Sequence, residues 1–185
     1  MKKTIIGAIV GGIIIFAWQF LSWGALNLHE AQQKYTPKQD SILAYLRSQF
    51  NEDGAYMMPT FAPGMSRDEM EKQMKICEGK PWAQIVYHSS MPGMGKMFVN
   101  MVRSLLVDIF IVWLLCWLIV KIPSLSFGTV FLGSIGTGII VFLNAPYTMH
   151  IWYGSFDLIA HFVDALVSWG VTGLWLGWWL CRGKK

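Results

Sequence analysis

Long apolar runs and one extended polar stretch alternate along this chain. Thr4 to Leu26 runs 23 residues without a formal charge. Ser104 to Val120 is apolar except for Asp108, and a start near Met101 gives it full length. Leu125 to Leu143 is uncharged, and Leu158 to Leu180 is interrupted only by His161 and Asp164. A bilayer core about 30 Å thick is crossed by roughly 20 apolar residues in a helix. The pattern therefore predicts four membrane-spanning helices, within 1–26 and at about 101–120, 125–144 and 157–180. The first begins with Lys2-Lys3 as a signal peptide would. Its apolar run is longer than such a peptide needs, and no small-x-small cleavage site follows, so it reads as a retained signal anchor.

The polar stretch, 27–99, has its own elements. Thr36-Pro37-Lys38-Gln39 carries the features of a helix start, and Ile42, Leu43, Leu46 and Phe50 follow at helical spacing. Ala55 to Met58 reads as a short strand stopped by Pro59. Ser66-Arg67-Asp68-Glu69 is a capping-box pattern, Met70, Met74 and Cys77 make one face, and Gly79 suits the position after the helix. Trp82 to Tyr87 reads as a second strand. The predicted fold is an all-α membrane protein, a four-helix transmembrane bundle, with a small α+β extracytoplasmic cap (27–99) between helices one and two, and 100–185 carrying the last three helices.

Composition narrows the class. Hydrophobic residues make up 54% of the 185 residues and charged ones 14%, with 10 Trp, whereas soluble domains carry about 25% charge. A disordered chain, an ordinary nucleic-acid-binding domain and a soluble enzyme are excluded. The net charge of +4 resolves into zones. Lys2, Lys3, Lys121, Arg182, Lys184 and Lys185 flank the spans without any acid beside them. Segment 27–99 is balanced, and Arg103, Asp108, Asp157 and Asp164 lie in or at the edge of the spans. Basic flanks belong in the cytoplasm. Both termini are expected there, with 27–99 in the periplasm of a bacterial inner membrane. Cys77 alone would face the oxidising side, so no intrachain disulfide is expected.

Charged groups inside a bilayer cost about 2.5–3.5 kcal/mol on insertion scales and are functional candidates by default. Asp157, His161, Asp164, Ser168 and Thr172 fall within about 80° of arc on one helix face at 100° per residue. That face must meet other helices or water. Asp108 is expected at a similar depth to Asp164, and Arg103 near His161. Three readings follow: a salt-bridge network of Arg103 with the aspartates, a proton relay or ion path through Asp108, His161 and Asp164, or a metal site of Asp157, His161, Asp164 and His150. A separate run, His88, Met91, Met94 and Met97, offers imidazole and thioether ligands to a soft ion such as Cu(I), although flexible methionines also anchor helices at an interface. No cofactor is required by these residues; a metal ion is the one they admit.

Gly7-x3-Gly11, Gly173-x3-Gly177 and the cluster Gly133, Gly136 and Gly138 favour close helix contact, within the chain, in a homo-oligomer or with protein partners in the bilayer. Trp18, Trp23, Trp175, Trp178 and Trp179 fit interface belts. Hydrolase elbows, phosphate loops and paired CxxC motifs are absent from the sequence. Asp53-Gly-Ala-Tyr56-Met-Met-Pro59, Ile85-Val-Tyr87-His88, and the tail from Asp157 through Trp169-Gly170 to Trp179 resemble a group of uncharacterised bacterial four-span inner-membrane proteins. That resemblance implies the bacterial inner membrane and carries no activity. The leading expectation is a non-catalytic subunit or accessory factor of a membrane complex. An ion-coupled transporter component and a metal-binding membrane protein stand as alternatives.

Overall fold

The computed structural model describes residues 2–183, which divide into a helical unit (the residues up to Lys34 and from Met94 onward) and a smaller unit, Tyr35–Gly93. Lys184 and Lys185, counted above among the basic flanks, lie outside the described residues.

Four helical stretches in the first unit are long and apolar enough to cross a membrane: Lys2–Ala25, Met94–Ile119, Phe127–Tyr153 and Leu158–Cys181. Helix α1 spans Lys2–Phe20 and continues in a π turn to Ala25. In the smaller unit, α2 spans Gln39–Gln49 and α3 spans Arg67–Cys77. Helix α4 spans Met94–Ile119 and begins two turns before the expected start at Met101. The breaker is Pro92-Gly93, and Met94, Met97 and Met101 behind it are good helix formers.

The third stretch also exceeds its predicted limit near Asn144. Helix α5 (Phe127–Phe142) passes through a π turn, Leu143–Tyr147, into α6 (Thr148–Tyr153). Pro146 lacks the amide that an α-helix would use. The wider turn absorbs that missing donor, so the helical stretch passes the proline without ending. The stop comes at Gly154, left-handed at φ 63°, whose amide bonds His150 O at 2.8 Å. Helix α7 spans Leu158–Cys181.

Close approaches at glycines fix the packing. A Cβ on Gly11 would lie 2.7 Å from Val112 and one on Gly12 2.6 Å from the Ile109 backbone, so α1 and α4 run antiparallel in near contact. Gly7 meets Leu176 and Trp179 of α7, and Thr172 Oγ1 donates to Gly11 O, so α1 is antiparallel to α7 too. Gly138, Gly173 and Gly177 seat Trp169, Ser134 and Phe127, which pairs α5 with α7. The first three helices of this contact chain thus lie in the order α4, α1, α7, with α5 beyond α7. Lys3, Lys121 and Arg182 consequently share one end of the bundle, and Lys3 Nζ donates to Arg182 O. The buried apolar core, Ala8, Ile15, Val112, Cys116, Val130, Trp169 and Leu176, sits among these helices. The outer faces keep Ile5, Ile13, Phe110, Leu132, Ile140 and Leu174 exposed, a surface suited to lipid.

In the smaller unit, β1 (Gly54–Met58) pairs antiparallel with β2 (Ala83–Tyr87), with Tyr56 opposite Ile85. Helix α3 lies in the connection. Ser66 caps it as expected: Glu69 Oε2 accepts from Ser66 N at 2.8 Å, and Ser66 Oγ accepts from Glu69 N. Gly79 has φ 72° just beyond its end. Thr36 does not cap α2. The cap position is Lys38, whose amide Thr36 Oγ1 accepts at 3.3 Å in a local turn that competes with capping. Phe50 stacks on Tyr56 and meets Tyr87 edge to face in the unit's small aromatic centre.

Candidate functional site

The polar face of α7 points at α1, at the end of the bundle away from Lys3, Lys121 and Arg182. Asp157 occupies the residue before α7, where a carboxylate ordinarily caps the helix. Its side chain makes no capping bond and turns instead to two imidazoles. Asp157 Oδ2 lies 2.7 Å from His29 Nδ1 and 3.2 Å from His161 Nε2. The other nitrogen of His29, Nε2, lies 2.9 Å from Asp164 Oδ2. Asp164 Oδ1 accepts from Trp18 Nε1 at 2.9 Å and from Ser22 Oγ at 2.6 Å. His29 is 1% exposed and clamped by the Trp23 indole, stacked with ring centroids 3.8 Å apart.

Local backbone geometry delivers His29 to this position. The π turn after α1 ends with Leu26 N bonded to Leu21 O. Leu28 N then reaches back to Ser22 O, and Asn27 between them is left-handed at φ 49°. Asn tolerates that region better than most residues with a Cβ. The reversal turns the chain across the end of α1 and lays the His29 ring against α7.

Each nitrogen of His29 faces a carboxylate oxygen, and an acceptor can be met only by an N–H or by a protonated carboxyl. Two hydrogens must therefore occupy the two contacts. With those two hydrogens in place, His29, Asp157 and Asp164 share one negative charge; His29 and Asp157 are buried, Asp164 is partly exposed, and Asp157 Oδ1 has no partner. His161 is partly exposed and completes the group. His29, Asp157 and His161 each offer one ligand atom, all within 4.8 Å of one another.

A cavity of about 350 Å³ adjoins this network, and Asp108, Gln19, His161, Asp164 and Ser168 are among the residues that line it. Asp108 is buried on α4. Gln19 Nε2 donates to its Oδ1 at 3.2 Å, and Oδ2 has no partner. Gln19 and Trp18 are neighbours on α1, so Asp108 and Asp164 meet that helix at one level.

Of the residues singled out in the sequence, the structure brings together Asp157, His161 and Asp164, with Asp108 across the shared cavity. Arg103 is exposed on α4 and makes no ion pair among the described residues, and the place expected for it beside the aspartates is taken by His29. The reason is register: Arg103 lies five residues from Asp108, on a different face of α4. His150 sits in α6, where its Nδ1 contacts Ser155 O in the turn beyond the helix at 2.9 Å. His88 and Met91 belong to the smaller unit, and His88 pairs with Asp53 at 3.5 Å. Met94 and Met97 stand exposed on the first turns of α4.

Sequence reasoning missed His29 as the centre of the group, and Trp18, Ser22 and Gln19 as its supports. Trp18 reads as an interface anchor, yet its indole N–H is spent on Asp164. The available signal was Trp18, Gln19 and Ser22 clustered at the end of an otherwise apolar helix, directly before a histidine. Comparison of the chain with protein-family models, curated proteins and solved structures gives no match in any of the three.

Proposed function

We propose that this chain is a small polytopic protein of the bacterial inner membrane that handles a cation inside its helical bundle, as an ion-coupled transport component. Both termini lie in the cytoplasm and the Tyr35–Gly93 unit in the periplasm. The orientation rests on the shared basic end formed by Lys3, Lys121 and Arg182. The observation that carries the function is the cavity lined jointly by Asp108, His161 and Asp164, with Asp108 Oδ2 unpartnered at its wall. An intramembrane carboxylate without a partner is costly unless it faces an occupant or water that it serves.

The accessory-subunit expectation drew on close-packing glycines, many aromatics and the absence of a catalytic motif from the sequence. Gly7, Gly11, Gly133, Gly138, Gly173 and Gly177 meet contacts inside the chain and argue little for an outside partner, whereas Gly136 has nothing within 4 Å.

The test is flux. Full-length protein reconstituted in vesicles carrying proton-sensitive and zinc-sensitive dyes is expected to dissipate one of the two gradients faster than protein-free vesicles. Asp108→Asn slows that rate at least tenfold. Equal rates for wild-type and empty vesicles with both dyes would defeat the reading.

A further inference from the structure

We infer that His29, Asp157 and His161 form a binding site for a divalent transition-metal cation of the Zn²⁺ type, held by His29 Nδ1, the Asp157 carboxylate and His161 Nε2. The inference rests on the cation-handling reading above and names the ion class.

Three observations meet here. The first is spacing. Zn²⁺ bonds of about 2.0–2.2 Å at tetrahedral angles set donor atoms roughly 3.3–3.5 Å apart. Asp157 Oδ2 stands 2.7 Å from one imidazole and 3.2 Å from the other, and all three donors lie within 4.8 Å. Small side-chain movements convert that set into a coordination shell. Two imidazoles and a carboxylate are ligands suited to Zn²⁺ and its neighbours.

The second is an orphan. Asp157 Oδ1 is buried and unpartnered on the same carboxylate that bridges the two histidines. Unsatisfied charged oxygens in protein interiors are rare because leaving one dry is costly. A cation bound at this carboxylate removes that cost.

The third is the arrangement behind the ligands. A metal-bound histidine characteristically donates its other N–H to a carboxylate, which fixes its tautomer and orientation. His29 has that carboxylate in place: with Nδ1 on the metal, Nε2–H donates to Asp164 Oδ2 at 2.9 Å. Asp164 is itself held by Trp18 and Ser22, and Trp23 fixes the plane of the ring. Charge agrees as well. A divalent ion that displaces the hydrogen between His29 and Asp157 takes the group of two carboxylates from −1 to zero.

Three protein ligands leave a fourth position open, as in sites that exchange or activate a ligand rather than closed structural ones. His161 also lines the cavity shared with Asp108 and Asp164.

The test uses untagged, full-length protein in detergent, stripped with chelator and dialysed against Zn²⁺, with Co²⁺ as an optical probe. Wild type is expected to hold one Zn²⁺ per chain and to give the visible absorption of four-coordinate Co²⁺. His161→Ala, at a partly exposed position, lowers Zn²⁺ affinity at least about tenfold with unchanged helical circular dichroism. Asp164→Asn lowers it by about 10–100-fold. His150→Asn retains wild-type affinity. Absence of stoichiometric Zn²⁺ from wild type, or wild-type affinity in His161→Ala, overturns the site. Asp108-dependent flux without Zn²⁺ binding overturns the metal and leaves cation handling standing. Zn²⁺ binding without flux overturns transport and leaves the metal.

Discussion

Removing the imidazole of His29 while keeping its shape isolates the energetic role of the buried network. His29→Phe retains a ring that can stack on Trp23, where the native rings are 3.8 Å apart and 5° from parallel. What it deletes is two polar contacts, at 2.7 and 2.9 Å, to Asp157 and Asp164. Breaking a buried ion pair by removing one partner costs about 3–5 kcal/mol, because the remaining charge stays buried. Two compensations pull the value to the lower end. Asp157 keeps His161 at 3.2 Å, and Asp164 keeps Trp18 and Ser22. The expected loss is about 3 kcal/mol, a large share of a typical stability of about 5–15 kcal/mol.

Trp18→Phe removes only one hydrogen bond to a carboxylate that keeps two others. Its cost is at most about 1.5–3 kcal/mol, the range for a bond to a charged group. Adding Asp164→Asn to His29→Phe removes the uncompensated charge and restores at least about 1 kcal/mol. The assay is unfolding of chelator-treated protein in mixed micelles of rising SDS fraction, followed by far-UV circular dichroism. A His29→Phe protein within about 1 kcal/mol of wild type refutes the reasoning, as does a double variant less stable than the single one.

Other consequences can be checked separately. Gly12→Ala places a methyl 2.6 Å from the Ile109 backbone and is expected to cost about 1–3 kcal/mol in the same assay, whereas Gly136→Ala, with nothing within 4 Å, is near neutral. Asn27→Gly preserves the left-handed turn and keeps His29 in place. Asn27→Val strains it and lowers stability by about 1–3 kcal/mol, with loss of the near-UV signal of the Trp23–His29 stack. In the smaller unit, hydrogen bonds from Ser89, joined by His88, hold the exposed Asp53 carboxyl below its ordinary value of 3.8. Its support for the hairpin end is therefore present above that value and fades as pH falls through the lowered one. The Ser89 amide resonance should follow this acidic transition in wild type and lose it in Asp53→Asn.

The four long apolar helices were legible because the capacity to cross a membrane is a one-dimensional property: an apolar run of sufficient length and composition declares itself. The helix ends were less legible. The third stretch was expected to end near Asn144, and only the π turn from Leu143 to Tyr147 reveals that the helix runs through Pro146 to Tyr153. The Ser66 capping box was readable because it closes within four residues, while Thr36 had a nearer competitor in the Lys38 amide. On α7 the helical repeat alone aligned Asp157, His161 and Asp164, since 3.6 residues per turn fixes a face whatever the fold.

The partner of that face was another matter. His29 is separated in sequence from Asp157 and Asp164 by 128 and 135 residues, and no local period links positions so far apart. Its place depends on a left-handed Asn27 and on α1 and α7 running antiparallel with Thr172 against Gly11. Arg103 was the nearer cation in the spans, but its register on α4 turns it outward. Composition and local periodicity were enough to read how many helices are long and apolar enough to cross a bilayer, which residues carry charge inside them, and which of those share a helix face. That an imidazole from the end of α1 bridges the two aspartates of that face, and that Asp108 shares its cavity, came only from the packing, because both depend on which helices meet and at what height.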